Sequence, residues 1–591
     1  MFKVFRTTLL YCLIILPFLT GCKKNADNTF SISSPPDLTT KVKSSVSGFV
    51  TDENNLAVNF ATVQVSTSTI TTDKYGYFEF KNVDVVKNAA VVTVTQPGYF
   101  KGIKTYIASE NKSAFFRIKL IPKTIAGTIN ATAGGVVSLA NGLSISLPAN
   151  AIVNAASNTA YSGTVNIFAH WINPTGSDLP NSMPGDLRGL NTAGNMQLLT
   201  TYGMAAVELT GSSGELLQMA TGKKSTLSFP IPASIGASAP ATIPLWYFDE
   251  AKGLWQEEGS AVKSGNNYIG EVGHFSFWNC DYPNNYVQFS CSVVNASMQP
   301  IQNAYIKITN VNNPANFAFG HTDATGFVIG AVPDNAQLLL EIFNNPYCLT
   351  TIHSQTFNTT NSNVSLGNIV IAAGLQTASI SGTVTDCNNN PVSNGYVIMI
   401  ANNYNYRFPL SSTGTYNFSV LLCGSNTNAI FIAEDISSLQ QNAPFSQVIS
   451  AGSNAVPNLQ ACGFSAQEFL HYSIDGVNYS FTAPIDSVAF YGSVNSPEPE
   501  FWAARLGTNQ FAKFRFFNSG IFVNSTHLLN GFTSSNLVAS SQPANPIIVR
   551  ITEYGPIGQF IGGNFTGTLV EQQSPNAVHT VTCYFRARRN L

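Results

Sequence analysis

From about residue 44 onward the chain is written in short runs in which apolar and polar side chains alternate, interrupted by Asn, Gly, Asp and Ser. Ala61-Thr-Val-Gln-Val65 and Ala304-Tyr-Ile-Lys-Ile308 are typical. A period of two places alternate side chains on one face, so each run predicts a strand with one buried and one wet side. No stretch beyond the N-terminal leader repeats apolar residues at helical spacing, and no substantial helix is predicted. The expected fold class is all-β, a string of tandem β-sandwich domains.

Three segments share one grammar. The first runs Val46-Ser-Gly-Phe-Val-Thr-Asp52, Ala57-Val58, Ala61-Thr-Val-Gln-Val65, then Thr72-Asp73-Lys-Tyr-Gly76-Tyr-Phe78. Another runs Ile380-Ser-Gly-Thr-Val-Thr-Asp386, Pro391-Val392, Gly395-Tyr-Val-Ile-Met399, then Ser412-Thr-Gly414-Thr-Tyr416. Between them lie Cys291-Ser-Val-Val294, Pro300-Ile301, Ala304 to Ile308 and Thr322-Asp-Ala-Thr-Gly326-Phe327. Each reads as a strand, a polar reversal, a second strand, and a Gly turn before an aromatic that opens a further hairpin. This order resembles the carboxypeptidase-regulatory-like domain, a transthyretin-like seven-strand sandwich, over residues 44 to 122 and 375 to 462, and more faintly over an Ig-like segment, 284 to 374. The resemblance implies display or protein contact and carries no peptidase residues.

Residues 123 to 283 differ in character, with Gly142-Leu-Ser-Ile-Ser-Leu-Pro148, Ile243-Pro-Leu-Trp-Tyr-Phe-Asp-Glu250 and His274-Phe-Ser-Phe-Trp-Asn279. They resemble the ZU-five sandwich of ankyrins and netrin receptors, and more closely its relatives in cartilage intermediate layer protein. Four of the five Trp (171, 246, 255, 278) fall here and predict one large core. Residues 463 to 591 alternate short strands with Gly and Asn turns and predict a final C-terminal sandwich.

The first 21 residues combine Lys3 and Arg6 with an apolar run from Leu9 to Leu19, too short to span a bilayer. The following Leu19-Thr-Gly-Cys22 resembles the lipobox of bacterial lipoproteins. That resemblance implies cleavage before Cys22, lipid on its thiol, and the membrane as a partner. With Lys23 and Lys24 where an inner-membrane retention signal would place Asp, the resemblance implies the outer membrane or cell surface of a Gram-negative bacterium, in a leaflet the sequence leaves open. Residues 22 to 43, polar and carrying Pro35-Pro36, predict a flexible tether.

Composition narrows the function. Charged residues are only 10% of the chain against 44% apolar, so the wet faces must be Asn, Ser, Thr and Gly. A net charge of −2 gives nucleic acid no basic field to bind, and nucleic acid is excluded as a partner. With Cys12 in the leader and Cys22 lipidated, Cys280, Cys291, Cys348, Cys387, Cys423, Cys462 and Cys583 remain. In an oxidising compartment, pairs are expected among the six from Cys280 to Cys462, in a connectivity that sequence leaves open, and the odd total leaves at least one thiol. The absence of C-x-x-C spacing argues against zinc. No cofactor is expected.

His274-Phe275-Ser276 is the one constellation with catalytic character. It resembles the triplet of self-cleaving nucleoporins and some ZU-five death-domain scaffolds, in which the Ser hydroxyl attacks the preceding carbonyl and the ester hydrolyses. Here that implies His274 as base, Ser276 as nucleophile and a cut between Phe275 and Ser276; the alternative is a strand that needs Phe275 and Trp278 in its core. Asp249, Glu250, Glu257 and Glu258 bracket a hairpin and could offer oxygen ligands to Ca²⁺, against the simpler reading of a solvated turn. Trp502, between Phe501 and Ala503, is the isolated candidate for stacking on a sugar, against a core Trp. No other motif of enzymatic chemistry is present. The leading expectation is a non-enzymatic, lipid-anchored surface protein of structural or interaction type. A glycan- or peptide-binding module and a self-cleaving surface protein are the alternatives.

Overall fold

The computed structural model describes residues 35–589 except 59–60, 74, 347, 349, 373–375, 403, 484, 493–495, 506, 519, 543–544, 556–558 and 572–576; at 464 and 465 only the backbone is described. Cys22 and the export signal lie outside the described residues. The chain is all-β: strands throughout, with a single helix of four residues, Leu179–Ser182, among the described residues. No helix among them is long and apolar enough to cross a membrane.

The three grammatical repeats fold alike. In the first, Lys41–Thr51 pairs antiparallel with Tyr77–Val86 and parallel with Ser113–Lys119, facing a four-stranded sheet made by Thr62–Val65, Ser68–Thr71, Ala90–Thr95 and Gly102–Tyr106. The fainter middle repeat has the same order, with Tyr286–Asn295 paired parallel to Val364–Ile371. In the third, Thr377–Thr385 runs parallel to Gly452–Ala455 and Leu459–Gln460. Turn chemistry explains the sameness. Asp73 Oδ1 accepts the N–H groups of Tyr75 and Tyr77, and Asp323 Oδ1 those of Thr325 and Phe327. Ser411 Oγ does the same for Thr413 and Thr415. The glycine inside each turn has positive φ (Gly76 75°, Gly326 74°, Gly414 70°). A Cβ there would lie 2.3 to 2.5 Å from a carbonyl oxygen of the first strand, so only glycine closes the turn.

Residues 123 to 283 form a sheet of thirteen strands. The four Trp do not share one core as expected. Trp278 packs with Ile145, Leu209 and Phe229, and Trp171 lies against the same group, whereas Trp246 and Trp255 join a second cluster with Leu198 and Met204. The long strand Met196–Thr210 is buried on both faces and divides them.

Beyond residue 468, ten strands make one continuous antiparallel sheet rather than two separately bonded ones. It curls over its own core, where Phe501 meets Phe514 at 5.1 Å and Phe585 at 4.4 Å between ring centroids.

The units are not arranged as a string. The first sandwich is a hub. Phe100 and Ile103 enter the second Trp cluster, and the Lys104 ammonium donates to the carbonyls of Pro180 and Met183. Ser113 Oγ donates to Asp323 Oδ2 of the middle repeat at 2.6 Å. Arg117 lies 4.1 Å over the Tyr404 ring of the third repeat, and Arg407, 4.1 Å over Tyr396 of its own repeat, answers across the same seam 4.5 Å over Tyr77. Arg588 of the C-terminal sheet reaches toward Tyr75 while facing Glu434 and Glu468. The expected tether also ends early: Lys41 already begins a strand, and Leu38 packs beside Ala89 and Leu254.

Candidate functional site

The His274-Phe275-Ser276 segment enters the strand Phe277–Asn284. Its polar groups are each engaged with neighbours. Ser276 Oγ donates to the Phe277 carbonyl, and Gln218 clamps the Phe275 peptide, accepting from its N–H at 2.7 Å and donating to its carbonyl at 3.1 Å. The His274 ring packs edge-on to Tyr247 at 4.6 Å, with Nε2 3.7 Å from Glu258. Burial lowers the His274 pKa, with Glu258 opposing. Phe275 and Trp278 both pack in the core.

The acids once grouped as calcium ligands disperse. Asp249 caps its own turn through the N–H groups of Ala251 and Lys252, Glu250 pairs with Lys101, and Glu257 accepts from Thr192 N–H. Among the described residues no three His, Cys, Asp or Glu side chains stand close enough to hold a metal ion. Among the described residues one disulfide is formed, Cys387–Cys462. Trp502 falls on the face opposite Phe501 and Ala503, half-buried rather than in the core, between Ala489 and Lys513 of the flanking strands.

The site that sequence reasoning missed is a cleft of 880 Å³ at one end of the C-terminal sheet, lined by residues of four hairpins. The hairpin Phe469–Ile474 to Val477–Thr482 turns at Asp475-Gly476, both at positive φ (50° and 82°), the conformation that an Asp-Gly two-residue loop favours. That register sets Tyr472 opposite Tyr479, their rings stacked at 4.8 Å and 11°. Tyr472 is buried, whereas Tyr479 is 38% exposed and presents its ring to the cleft. Burial pushes the Tyr472 hydroxyl up to about 12.

Arg505 stands beside the tyrosines, fixed by Asp486 at 2.9 Å, by the Ser480 carbonyl at 2.7 Å and by Gln510 Oε1 at 3.2 Å. Although burial opposes it, the hydrogen bonds from Arg505 and from Thr482 N–H hold the Asp486 carboxyl below its ordinary value. On the far wall His579 Nδ1 and Asp475 Oδ2 lie 2.8 Å apart, and that hydrogen bond, with one from Thr580 N–H, holds Asp475 low. His579 Nε2 is buried with no hydrogen-bond partner, so no nucleophile is poised on it. Asn478, Asn509 and Asn536 complete a rim of amides. An aromatic face beside planar, pre-oriented polar groups is suited to stacking and hydrogen bonding. The Asp-Gly turn was a readable signal for the Tyr pair; the other hairpins come from distant parts of the chain.

No family model matches the chain. A stretch of 106 residues, 18% of the chain, is 35% identical to cartilage intermediate layer protein 2 of Mus musculus and spans 9% of that protein. Among solved structures, the shaft pilin SpaA of Lactobacillus rhamnosus GG is 11% identical, covering 30% of this chain and 99% of its own at a TM-score of 0.17. BcpA, the major pilin subunit of Bacillus cereus, is 8% identical, covering 72% of this chain and 100% of its own at a TM-score of 0.13. Values this low say nothing of shared function.

Proposed function

We propose that this is a lipid-anchored cell-surface interaction protein whose sandwiches assemble around the first one, and whose C-terminal cleft binds a short, hydroxyl-rich glycan. The cleft carries the reading: an exposed Tyr479 face, a guanidinium pinned in place at Arg505, and amides around the rim. A pyranose offers an apolar C–H face to such a ring and vicinal hydroxyls to such a rim. Anchoring rests on Leu19-Thr20-Gly21-Cys22, and with it the outer membrane as address. The three like-folded repeats support assignment as carboxypeptidase-regulatory-like modules, and the match to cartilage intermediate layer protein 2 supports a relative of that protein's sandwich within the chain. The test is a glycan array probed with the purified chain: at least one neutral oligosaccharide series is expected to bind, and a blank array would remove the glycan reading and leave a protein-contact role.

A further inference from the structure

Beyond any glycan, the seam between the middle and third repeats holds two cysteines that have no place in the reading above. After the strand Gln337–Phe343, Cys348 N–H donates to the Asn345 carbonyl at 3.1 Å, folding the chain back on Asn344 and Asn345. Both dock on the end of the strand Thr415–Leu421: Asn344 Nδ2 donates to the Leu421 carbonyl, and Asn345 Nδ2 to Cys423 Sγ at 3.4 Å. Leu421 itself enters the core of the middle repeat. Asn345 thus bridges the two cysteines, its carbonyl accepting from Cys348 N–H and its amide donating to Cys423 Sγ. Cys348 also lines a cleft of 390 Å³ with Lys307, Glu341 and Phe343, which gives a reagent a way in.

We propose that Cys348 and Cys423 are a second redox pair, forming a disulfide that staples the middle repeat to the third when the protein meets a disulfide-bearing oxidant. The Cys348 thiolate attacks one sulfur of the oxidant's disulfide, forming a mixed disulfide and releasing one thiolate. The Cys423 thiolate then attacks Cys348 Sγ, the intramolecular S–S bond forms as the mixed bond breaks, and the second thiolate leaves. The two protein thiols lose two electrons, the oxidant disulfide gains them, and the two protons end on the released thiols. Burial pushes the Cys423 thiol up to about 12, so the reaction is slow at neutral pH and accelerates as pH rises. The other three thiols are buried apart from one another: Cys280 and Cys291 lie in the cores of the second and middle units, and Cys583 in that of the C-terminal sheet.

The experiment incubates the full chain with oxidised glutathione at pH 8.5, blocks residual thiols in denaturant, and maps linked peptides by mass spectrometry without reduction. The expected map holds two links, Cys387 to Cys462 and Cys348 to Cys423, with Cys280, Cys291 and Cys583 blocked as thiols. The oxidised chain is expected to melt a few degrees above the chain that carries Cys387–Cys462 alone, a gain abolished in Cys423→Ser. A map in which Cys348 and Cys423 are both blocked as thiols, or linked to other cysteines, would overturn the proposal, and it needs no variant to fold.

Discussion

The hub and the cleft use the same side chains to opposite ends. At the hub, Arg117 lies over Tyr404 and Arg407 over Tyr77, each a ring from another unit, and the polar atoms that remain are buried, among them His321 Nε2 without a partner. At the cleft, Arg505 and Tyr479 again stand together, but Arg505 is pinned by its own unit and the Tyr479 face is left to solvent. An arginine held by a neighbouring domain makes an interface; an arginine held by its own domain, beside an open ring, makes a binding site. The difference lies in who supplies the partners.

Breaking the hub should cost most. Arg588 is wholly buried against Glu434 and Glu468, so Arg588→Met takes a guanidinium away from two buried carboxylates, an expected loss of about 3–5 kcal/mol. Calorimetry should show it as an earlier melting transition.

Two glycines sharpen the comparison at smaller scale. Gly76 and Gly507 have similar φ, 75° and 71°, but a Cβ on Gly76 meets Val50 O at 2.3 Å, whereas Gly507 at the cleft rim has open space. Gly76→Ala is expected to cost about 1–3 kcal/mol, and Gly507→Ala no more than ~1 kcal/mol from backbone strain alone. Thermal unfolding of the pair measures the gap.

The hub should also be sensitive to acid. Burial first, then the nearby charges of Arg117 and Lys104, bring the His321 pKa from 6.5 to about 3. Between those values the unfolded chain binds the proton and the folded chain does not, so stability present above pH 6.5 is lost as pH falls toward 3. The melting temperature should fall across that window, and His321→Phe should flatten the fall. The smallest expected effect is at Ser276: with its hydroxyl bonded to Phe277 O and the Phe275 peptide clamped by Gln218, Ser276→Ala should leave a denaturing gel unchanged, one band before and after.

Much of this was legible in the chain. Alternation gave the strands, and Asp73, Asp323 and Ser411 with their glycines gave turns that fold as written, because those hydrogen bonds are local. The division of the Trp cluster was not legible, since Met196–Thr210 is apolar on both faces and period two does not say which core each face meets. Nor was the hub: Arg117 sits in a strand that reads like any other, and its ring partners come nearly three hundred positions later, at Tyr404 and Tyr406. The cleft fell between these cases, with the Tyr472–Tyr479 pair encoded by an Asp-Gly turn and Arg505 brought in only by sheet curvature.

The central claim is that recognition resides in the cleft and not in the hub, and calorimetric titration with the strongest array oligosaccharide tests it on three proteins: the unaltered chain, Tyr479→Ala and Tyr404→Leu. Tyr479→Ala is expected to weaken binding about tenfold or more, ~1.4 kcal/mol, while changing stability by less than ~0.5 kcal/mol, and Tyr404→Leu to bind as the unaltered chain does. Equal binding by Tyr479→Ala, or loss of binding in Tyr404→Leu while it remains folded, would contradict the account.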